Sequence, residues 1–549
     1  MYIRKISRKN KDGSTVTYVQ LAHNERHSTT GNPKANVLYN FGRLDTLDVE
    51  QLKRLIRSIS RFLPDKDAFE SQVAVQNRGK ILKWITCRTY GGIYVLDALW
   101  RKLNFDAILA KHLLSRSFAT PIGRAVFAMI ANRCLAPSSK LAITDWVAKD
   151  VHIPELPTID SQVLYRAMDF LLLHQKELEK EIYWAVADLL NLEVDLLFFD
   201  TTSTYFETED ENDLKMRGYS KDKRSDLPQV IIGLAVTRSG IPVKHWIFPG
   251  NTADMKTIET VKNDLSEWRL NRCIFVHDTG MTSESNLQYL QRGGGHYIVG
   301  RKLKSGDVYA ETSLSQKGPY TNIKEHLWAK EIIVGNGEKR KRLVLVKNDR
   351  EKERAEKTRE KLVAKLEADI NDINSSKRKA KSKAAQKLKA HKVYGRYIKE
   401  LKSGRLSLNR SRLKNDVRYD GKYLIESSDD TLSMSDIVLG YKQLYDVEHA
   451  FRTLKTTLQL RPNYHSKNER IRCHIFLCFI ALVFVRMIEQ KTDKSWAKIR
   501  DELHRLFYGE FSVDSKKVCQ LTEITNEQKA IFNALGIKEP STFVDIRNN

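Results

Sequence analysis

Glu448 stands seven residues from Tyr441 on one side and seven from Lys455 on the other, with Arg452 four residues on. On an α-helix those offsets drift by only ~20° per heptad, so the four side chains share one side. Leu444, Val447, Phe451, Leu454 and Leu458 fall on the opposite side, at the spacing of a buried stripe. A helix packed on a core would therefore offer one acid among cations. Either the face is solvated and tied by i,i+4 ion pairs, or the acid works beside a polyanion. Two aspartates upstream bear on that choice. Asp200 ends the apolar run Leu196–Phe199, which reads as a buried strand, and Asp278 lies two residues past a strand ending at Val276. Groups just beyond the carboxyl ends of strands in open α/β sheets are the exposed, functional ones.

The elements needed to position these acids are legible in the pattern. Val230–Val236 and Val243–Phe248 read as strands joined by the turn Arg238-Ser239-Gly240. Asp254–Leu270 then reads as helix, Cys273–Val276 as strand, Ser283–Gln291 as helix and Tyr297–Val299 as strand. With Leu196–Phe199 the order is β-β-β-α-β-α-β, a meander followed by crossover units that should be parallel and right-handed. Residues 301–420 interrupt this layout. Ile323–Leu345 suggests β-ribbons around Gly335-Asn336-Gly337, and Arg350–Ile373 a mixed-charge helix. Lys377–Lys399 contains no acid, which suits a solvated face or phosphate contact. The strand-like Tyr419–Ile425 leads to a capped start at Ser433-x-x-Asp436 and so to the Glu448 helix. Ile471–Ile488 is nearly all apolar and must be buried.

The chain has 549 residues and a formal charge of +25, from 93 Lys+Arg against 68 Asp+Glu. A surplus that large favours a polyanionic partner, with nucleic acid the first candidate. Residues 1–45 look β-rich, with strands at Val16–Leu21 and Val37–Phe41, a turn at Asp12-Gly13 and a basic tip. A helix with apolar positions 52, 55, 56, 59 and 63 should run to Pro64, followed by a polar linker over Asp65–Lys80. Residues 90–190 form a helical series in which Arg116, Arg124, Arg133, Lys140 and Arg166 lie between apolar faces, as DNA-reading helices or as a structural layer. The six cysteines show no CxxC pair, which suits a reduced, cytosolic chain; Cys473, His474 and Cys478 read as core. His245, Trp246 and His277 read as packing residues. The N-terminus lacks an apolar signal region, and Ile475–Val485 is short of the ~20 residues of a membrane span, so a soluble intracellular protein is expected.

Three blocks carry a family resemblance: FFDTTSTYFE around Asp200, VHDTGMTSESNLQYL around Asp278 with PGNTAD before it, and the Tyr441, Glu448, Lys455 spacing. YSKDKRSDLPQVIIGL at 219–234 and RIRCHIFLCFIALVF at 470–484 add to it. The chain resembles the DDE transposases of bacterial insertion sequences, specifically the insertion-sequence family numbered four. That group has a tyrosine–arginine–glutamate–lysine signature; here Leu444 occupies the arginine slot, and Arg452 could supply the missing charge.

The resemblance implies an α/β fold, with an RNase H-like mixed-sheet catalytic domain over 191–300 and 421–490. It implies a β-rich and helical insertion over 301–420. A β-rich basic region and helix (1–70), a helical DNA-binding domain (71–190) and a helical tail (491–549) complete the expected organisation. The implied catalytic and metal-binding residues are Asp200, Asp278 and Glu448, holding two Mg²⁺ that Mn²⁺ could replace. Tyr441, Arg452, Lys455 and Trp328 are expected on DNA, with Trp328 stacking on a base near a hairpin end. The implied partners are element ends and target DNA, met by a homodimer in the cytoplasm at the nucleoid. A metal-dependent nuclease or resolvase, or a regulator descended from a transposase, are the other readings.

Overall fold

The computed structural model describes residues 1–26, 33–63, 83–113, 122–192, 195–268, 270, 274–304, 308–337, 340–375, 378–513 and 516–548. The linker expected over Asp65–Lys80, Pro64 and Arg116 lie outside them. The chain divides into two compact units. The smaller comprises Met1–Thr86, Gly509–Gln520 and Phe543–Asn549. Strands β1 (Tyr2–Lys9), β2 (Thr15–Arg26) and β3 (Pro33–Arg43) form an antiparallel sheet. The β1–β2 turn follows from Asp12, whose carboxylate accepts the Ser14 N–H at 2.9 Å, and from Gly13 at φ +84°. Helix α1 runs Val49–Ser60, three residues earlier than its apolar positions suggest, because Asp48 caps the N–H groups of Glu50 and Gln51. A second sheet orders Phe543–Asn548, Lys516–Leu521, Phe507–Val513 and β4 (Lys83–Thr89). The tail expected to be helical is therefore partly β. Its aromatic and β-branched residues find a partner strand some four hundred residues upstream, which no local pattern reveals.

The larger unit, Cys87–Tyr508 with Leu521–Thr542, begins with helices α2 (Gly91–Lys102), α3 (Phe105–Leu113), α4 (Ile122–Leu135), α5 (Lys140–Lys149), α6 (Ser161–Leu173) and α7 (Gln175–Leu190). Arg124, Arg133 and Lys140 are 6%, 5% and 3% exposed, so none of the three stands out on an exposed helix face. Arg124 is paired with Asp97. The helical series belongs to the same compact unit as the sheet that follows.

That sheet starts as a meander: β5 (Leu196–Tyr205), β6 (Gln229–Thr237) and β7 (Pro242–Pro249), all antiparallel. Helix α8 (Ile258–Glu267) crosses to β8 (Ile274–His277), parallel to β5; α9 (Glu284–Gln291), capped by Ser283, crosses to β9 (His296–Arg301), parallel to β8. The meander and crossovers expected from the pattern are thus present. The sheet does not stop at β9. After α10 (Val308–Ser315), strands β10 (Thr321–Lys324), β11 (Leu327–Val334) and β12 (Lys341–Asn348) form an antiparallel ribbon. A helical lobe follows: α11 (Asp349–Ser375), α12 (Arg378–Lys389), the small pair β13 (Ile398–Glu400) and β14 (Leu406–Leu408), and α13 (Arg410–Val417). Strand β15 (Lys422–Ser427) then inserts between β12 and β9, giving nine strands in the order β10-β11-β12-β15-β9-β8-β5-β6-β7.

One sheet face packs Leu197, Phe199, Phe275, Tyr297 and Val299 against Tyr183 of α7 and against α8 and α9. Trp246 and buried His245 and His277 are packing residues here, as expected: His245 Nδ1 meets Glu179 at 2.5 Å, and burial pushes His277 down to about 4. The other face receives α14 (Met434–Lys442), α15 (Leu444–Arg452) and the buried α16 (Asn468–Thr492). Helix α16 packs on α4, α6 and β7. It is apolar enough to cross a membrane, but 89% of its most apolar stretch is buried within the protein, which marks a core helix.

Candidate active site

The register of β5 against β8 places the two aspartates side by side. Leu196–Phe199 pair in parallel with Ile274–His277, the last pair being Phe199 with His277. Asp200 and Asp278 are the next residue on each strand. Residues aligned on adjacent parallel strands point to the same face, and this is the face opposite Phe199. Strand β5 continues to Tyr205 along β6, so Asp200 lies mid-strand rather than at a strand end. What ends there is the neighbouring strand β8, and the vacated edge gives both acids an opening.

Glu448 comes from α15, which lies over β5 and β6. Asp200, Asp278 and Glu448 line a single cleft of about 360 Å³, together with Tyr441, Asn348 and Tyr423. Three sequence-distant carboxylates are thus brought together. The helical frame drawn through them differs from the expectation. Tyr441 belongs to α14, and the chain breaks at Gln443, whose N–H reaches back to Leu439 and Gly440 while a new helix begins at Leu444. Beyond Arg452 a π-turn spans Thr453–Thr457. Its extra residue per turn rotates Lys455 off the line through Glu448. Of the expected apolar stripe, Val447, Phe451, Leu454 and Leu458 are buried, whereas Leu444 is half-buried and lines the cleft beside Glu448.

Helix α14 approaches the sheet closely because Gly440 rests on Leu196 and Ile298, the Asp200 face. Tyr441 follows, and its hydroxyl reaches Asp278 Oδ1 at 3.2 Å. A side chain at Gly300 would overlap that hydroxyl and Thr279 Oγ1, so glycine is what admits the contact. Burial and then the Asp278 charge push the Tyr441 phenol up, keeping it a protonated donor. Tyr423 stacks on Tyr441 with ring centres 6.0 Å apart, and burial raises its phenol to about 12.

Asp200 is held differently. Burial is the main reason its carboxyl rises to about 6; Asp254 and Asp278 add to the rise, and Lys221 opposes it. The Lys221 ammonium lies 3.6 Å from Asp200 Oδ1 and 3.2 Å from Asp254 Oδ2, and donates to the Thr201 carbonyl and hydroxyl at 2.7 and 2.8 Å. Lys221 and Asp254 belong to segments noticed in the sequence, but neither had been singled out; the signal was a cation and an acid in blocks flanking the aspartates. Asn348 and Tyr423 had no local signal at all.

The remaining sequence candidates lie elsewhere. Arg452 is exposed and outside the cleft lining, which instead includes Leu444, the residue in the arginine slot. Lys455 is mostly buried and bound to Asp222 at 2.8 Å; Arg461 meets the same acid at 2.7 Å. Trp328, on β11, donates its indole N–H to Asp349 at 2.8 Å, one residue beyond Asn348.

Hard oxygen donors in a common cleft suit a hard dication such as Mg²⁺, and the Lys221 ammonium already places a cation between Asp200 and Asp254, the latter outside the cleft lining. Among the described residues no three His, Cys, Asp or Glu side chains converge tightly enough to enclose one ion. The fit is therefore one of donor chemistry and shared cleft.

Residues 195–484 match the transposase DDE domain family, and residues 3–71 match the N-terminal domain of the IS1634 family transposases. The chain belongs to the DDE transposases. Membership implies an enzyme of the nuclease and transesterase class that acts on DNA, and domains of this type are generally dependent on divalent metal. The N-terminal match names the IS1634 family, not the family numbered four. No curated protein matches this transposase. A solved piggyBac transposase synaptic complex with hairpin DNA aligns at 8% identity, over 76% of this chain and 78% of that one, with a TM-score of 0.35. An overlap that loose carries no argument about this transposase.

Proposed function

We propose that Asp200, Asp278 and Glu448 are the catalytic acids of this transposase and that they cleave and join strands at the ends of an insertion sequence. The observation that carries this is the convergence of three acids, from β5, the end of β8 and α15, on one cleft. The 3-2-1-4-5 order of the first five strands of the larger unit supports an RNase H-like core. The three carboxylates would hold a pair of Mg²⁺ ions, with Mn²⁺ able to substitute; when bound, these activate the attacking oxygen and stabilise the leaving oxygen of an in-line displacement. Tyr441 fixes the Asp278 carboxylate by donating to it, Lys221 restrains Asp200, and Lys442 at the cleft wall offers a cation to the anionic strand. Trp328, whose indole N–H donates to Asp349, the residue after the cleft-lining Asn348, would stack on a base of the strand near a hairpin end. Water attack would free a 3′-hydroxyl at the element end, and that hydroxyl would attack the second strand or target DNA.

The Tyr441, Glu448 and Lys455 spacing supports kinship with the family numbered four, with Leu444 as the departure. We place the enzyme at the nucleoid in the cytoplasm, acting as a homodimer on paired ends. The test is Mg²⁺-dependent nicking and joining of labelled element ends by Asp200→Asn, Asp278→Asn and Glu448→Gln, beside a binding assay. All three should lose nicking and joining while binding the ends. A Glu448→Gln protein that cuts like its parent would return α15 to a structural role, and nicking without joining would make the chain a nuclease.

A further inference from the structure

A second cavity, also of about 360 Å³, lies where the end of α4, the turn into α5 and the segment Gln459–His465 meet. Its lining includes Arg133, Lys140, Arg461, His465 and His474 and, among the described residues, no acidic side chain. Arg133 and Lys140 are nearly fully buried, at 5% and 3% exposed. Taking cations out of water without a counter-charge is unfavourable, and buried charges are ordinarily paired. Among the described residues Arg133 donates to carbonyls alone: Leu458 and Gln459 at 3.4 Å each, and Ser138. Its Nε is buried with no hydrogen-bond partner among the described residues, and so is Nδ2 of Asn463, a residue 3% exposed on the same lining.

The strain of this arrangement shows in the titration of its members. Burial, then the Arg133 charge, draws the Lys140 ammonium down to about 8. Burial, then Lys140, draws His465 down to about 4. Two unsatisfied donors and two buried cations with no carboxylate beside them among the described residues, Arg133 and Lys140, thus border an open space. Tyr464 stands at its rim, 80% exposed, with a free ring face of the type that accepts a base. The cavity is also coupled to the catalytic cleft. Arg461 belongs to its lining and pairs with Asp222, which pairs with Lys455; the neighbouring Lys221 contacts Asp200.

We propose that this cavity is a nucleotide subsite, taking one backbone phosphate of the DNA strand near the cut, with the attached base against Tyr464. The anion chemistry stands on the cavity alone; its assignment to DNA rests on the reading of the chain as an element-end transposase. A phosphate group offers several acceptor oxygens and negative charge, matching Arg133 Nε, Asn463 Nδ2 and the Lys140 ammonium together. The bound nucleotide would hold the strand in register with the cleft.

Two substitutions test this without touching the catalytic acids. Lys140→Met removes the charge at similar volume. Asn463→Asp replaces a donor by an acid while keeping the oxygen that accepts the His465 N–H at 3.0 Å, so it reports even where Lys140→Met fails to fold. Calorimetry with inorganic phosphate should show binding by the parent and a loss on the order of tenfold or more in each variant. Element-end duplexes carrying one neutral methylphosphonate at a time should reveal a single position that weakens parent binding by a similar factor and has no further effect in the variants. Phosphate binding equal in parent and variants would overturn the proposal. Phosphate binding lost in the variants, with no methylphosphonate position coupled to them, would make this a free-anion site and overturn the assignment to DNA. Coupling that holds in a protein with no nicking activity would sustain the subsite and count against the catalytic reading alone.

Discussion

At Asp200, folding and ionisation compete. Its carboxyl is raised from 3.8 to about 6, chiefly by burial. Between about pH 4 and pH 6 the unfolded chain has released this proton while the folded chain still holds it. Stability therefore falls as pH rises through that window and stays reduced above it. Asp200→Asn removes the penalty. In chelator at pH 7 the variant should be more stable than its parent by about 1–3 kcal/mol, since one pKa unit corresponds to about 1.4 kcal/mol and the contact with Lys221 is lost. At pH 4 the two should unfold together. Urea melts at both pH values check this, and a variant with no advantage at pH 7 would show that the carboxylate is not burdened. The same residue illustrates what the sequence disclosed. That Asp200, Asp278 and Glu448 come together in one cleft was legible because each follows or lies in a strongly patterned element. Lys221, Asp254, Asn348 and Tyr423 were not, because their roles come from strand register and loop return, which periodicity does not encode.

Elements decide how accurately those residues meet. The sheet of the larger unit was read nearly strand for strand, since buried strands make short apolar runs bounded by turns. Tyr441–Lys455 reads as one helix in the sequence because the apolar residues after the break at Gln443 keep helical spacing with those before it and hide it. Splitting the helix lets α14 lie on β9 through Gly440 while α15 lies on β5 and β6. It also leaves Tyr441 dependent on the space at Gly300. Gly300→Ala should displace the Tyr441 hydroxyl from Asp278 and slow nicking by on the order of tenfold, the worth of a hydrogen bond to a charged group. Tyr441→Phe should give a comparable loss, and the two together little more than either alone. A Gly300→Ala enzyme nicking at the parent rate would show that the tyrosine contact does not matter to the reaction.

Over the whole molecule the charge of +25 predicts DNA binding that weakens steeply with salt, by about 0.9 in the log–log slope for each phosphate neutralised. Lys455 was expected to contribute one such contact. Bound to Asp222 and mostly buried, it should contribute little, so Lys455→Ala should leave the slope nearly unchanged and act on stability instead. Filter binding from low to moderate salt distinguishes the outcomes; a slope lower by about one unit would return Lys455 to the DNA. The ribbon β10–β12 has a further consequence. It is joined edge to edge through β15 with the sheet that carries Asp200, and Asn348 and Tyr423 of that join line the cleft. Relatives cannot therefore trade this region as a cassette: a chimera cut at 301 and 420 would exchange Asn348, which lines the cleft, and would set a foreign β12 against the host's β15. The lobe from α11 to α13 returns to the sheet between Asn348 and Lys422, whose strands are already paired. That lobe is the place where the lineage could lengthen, shorten or replace chain without rebuilding the chemistry.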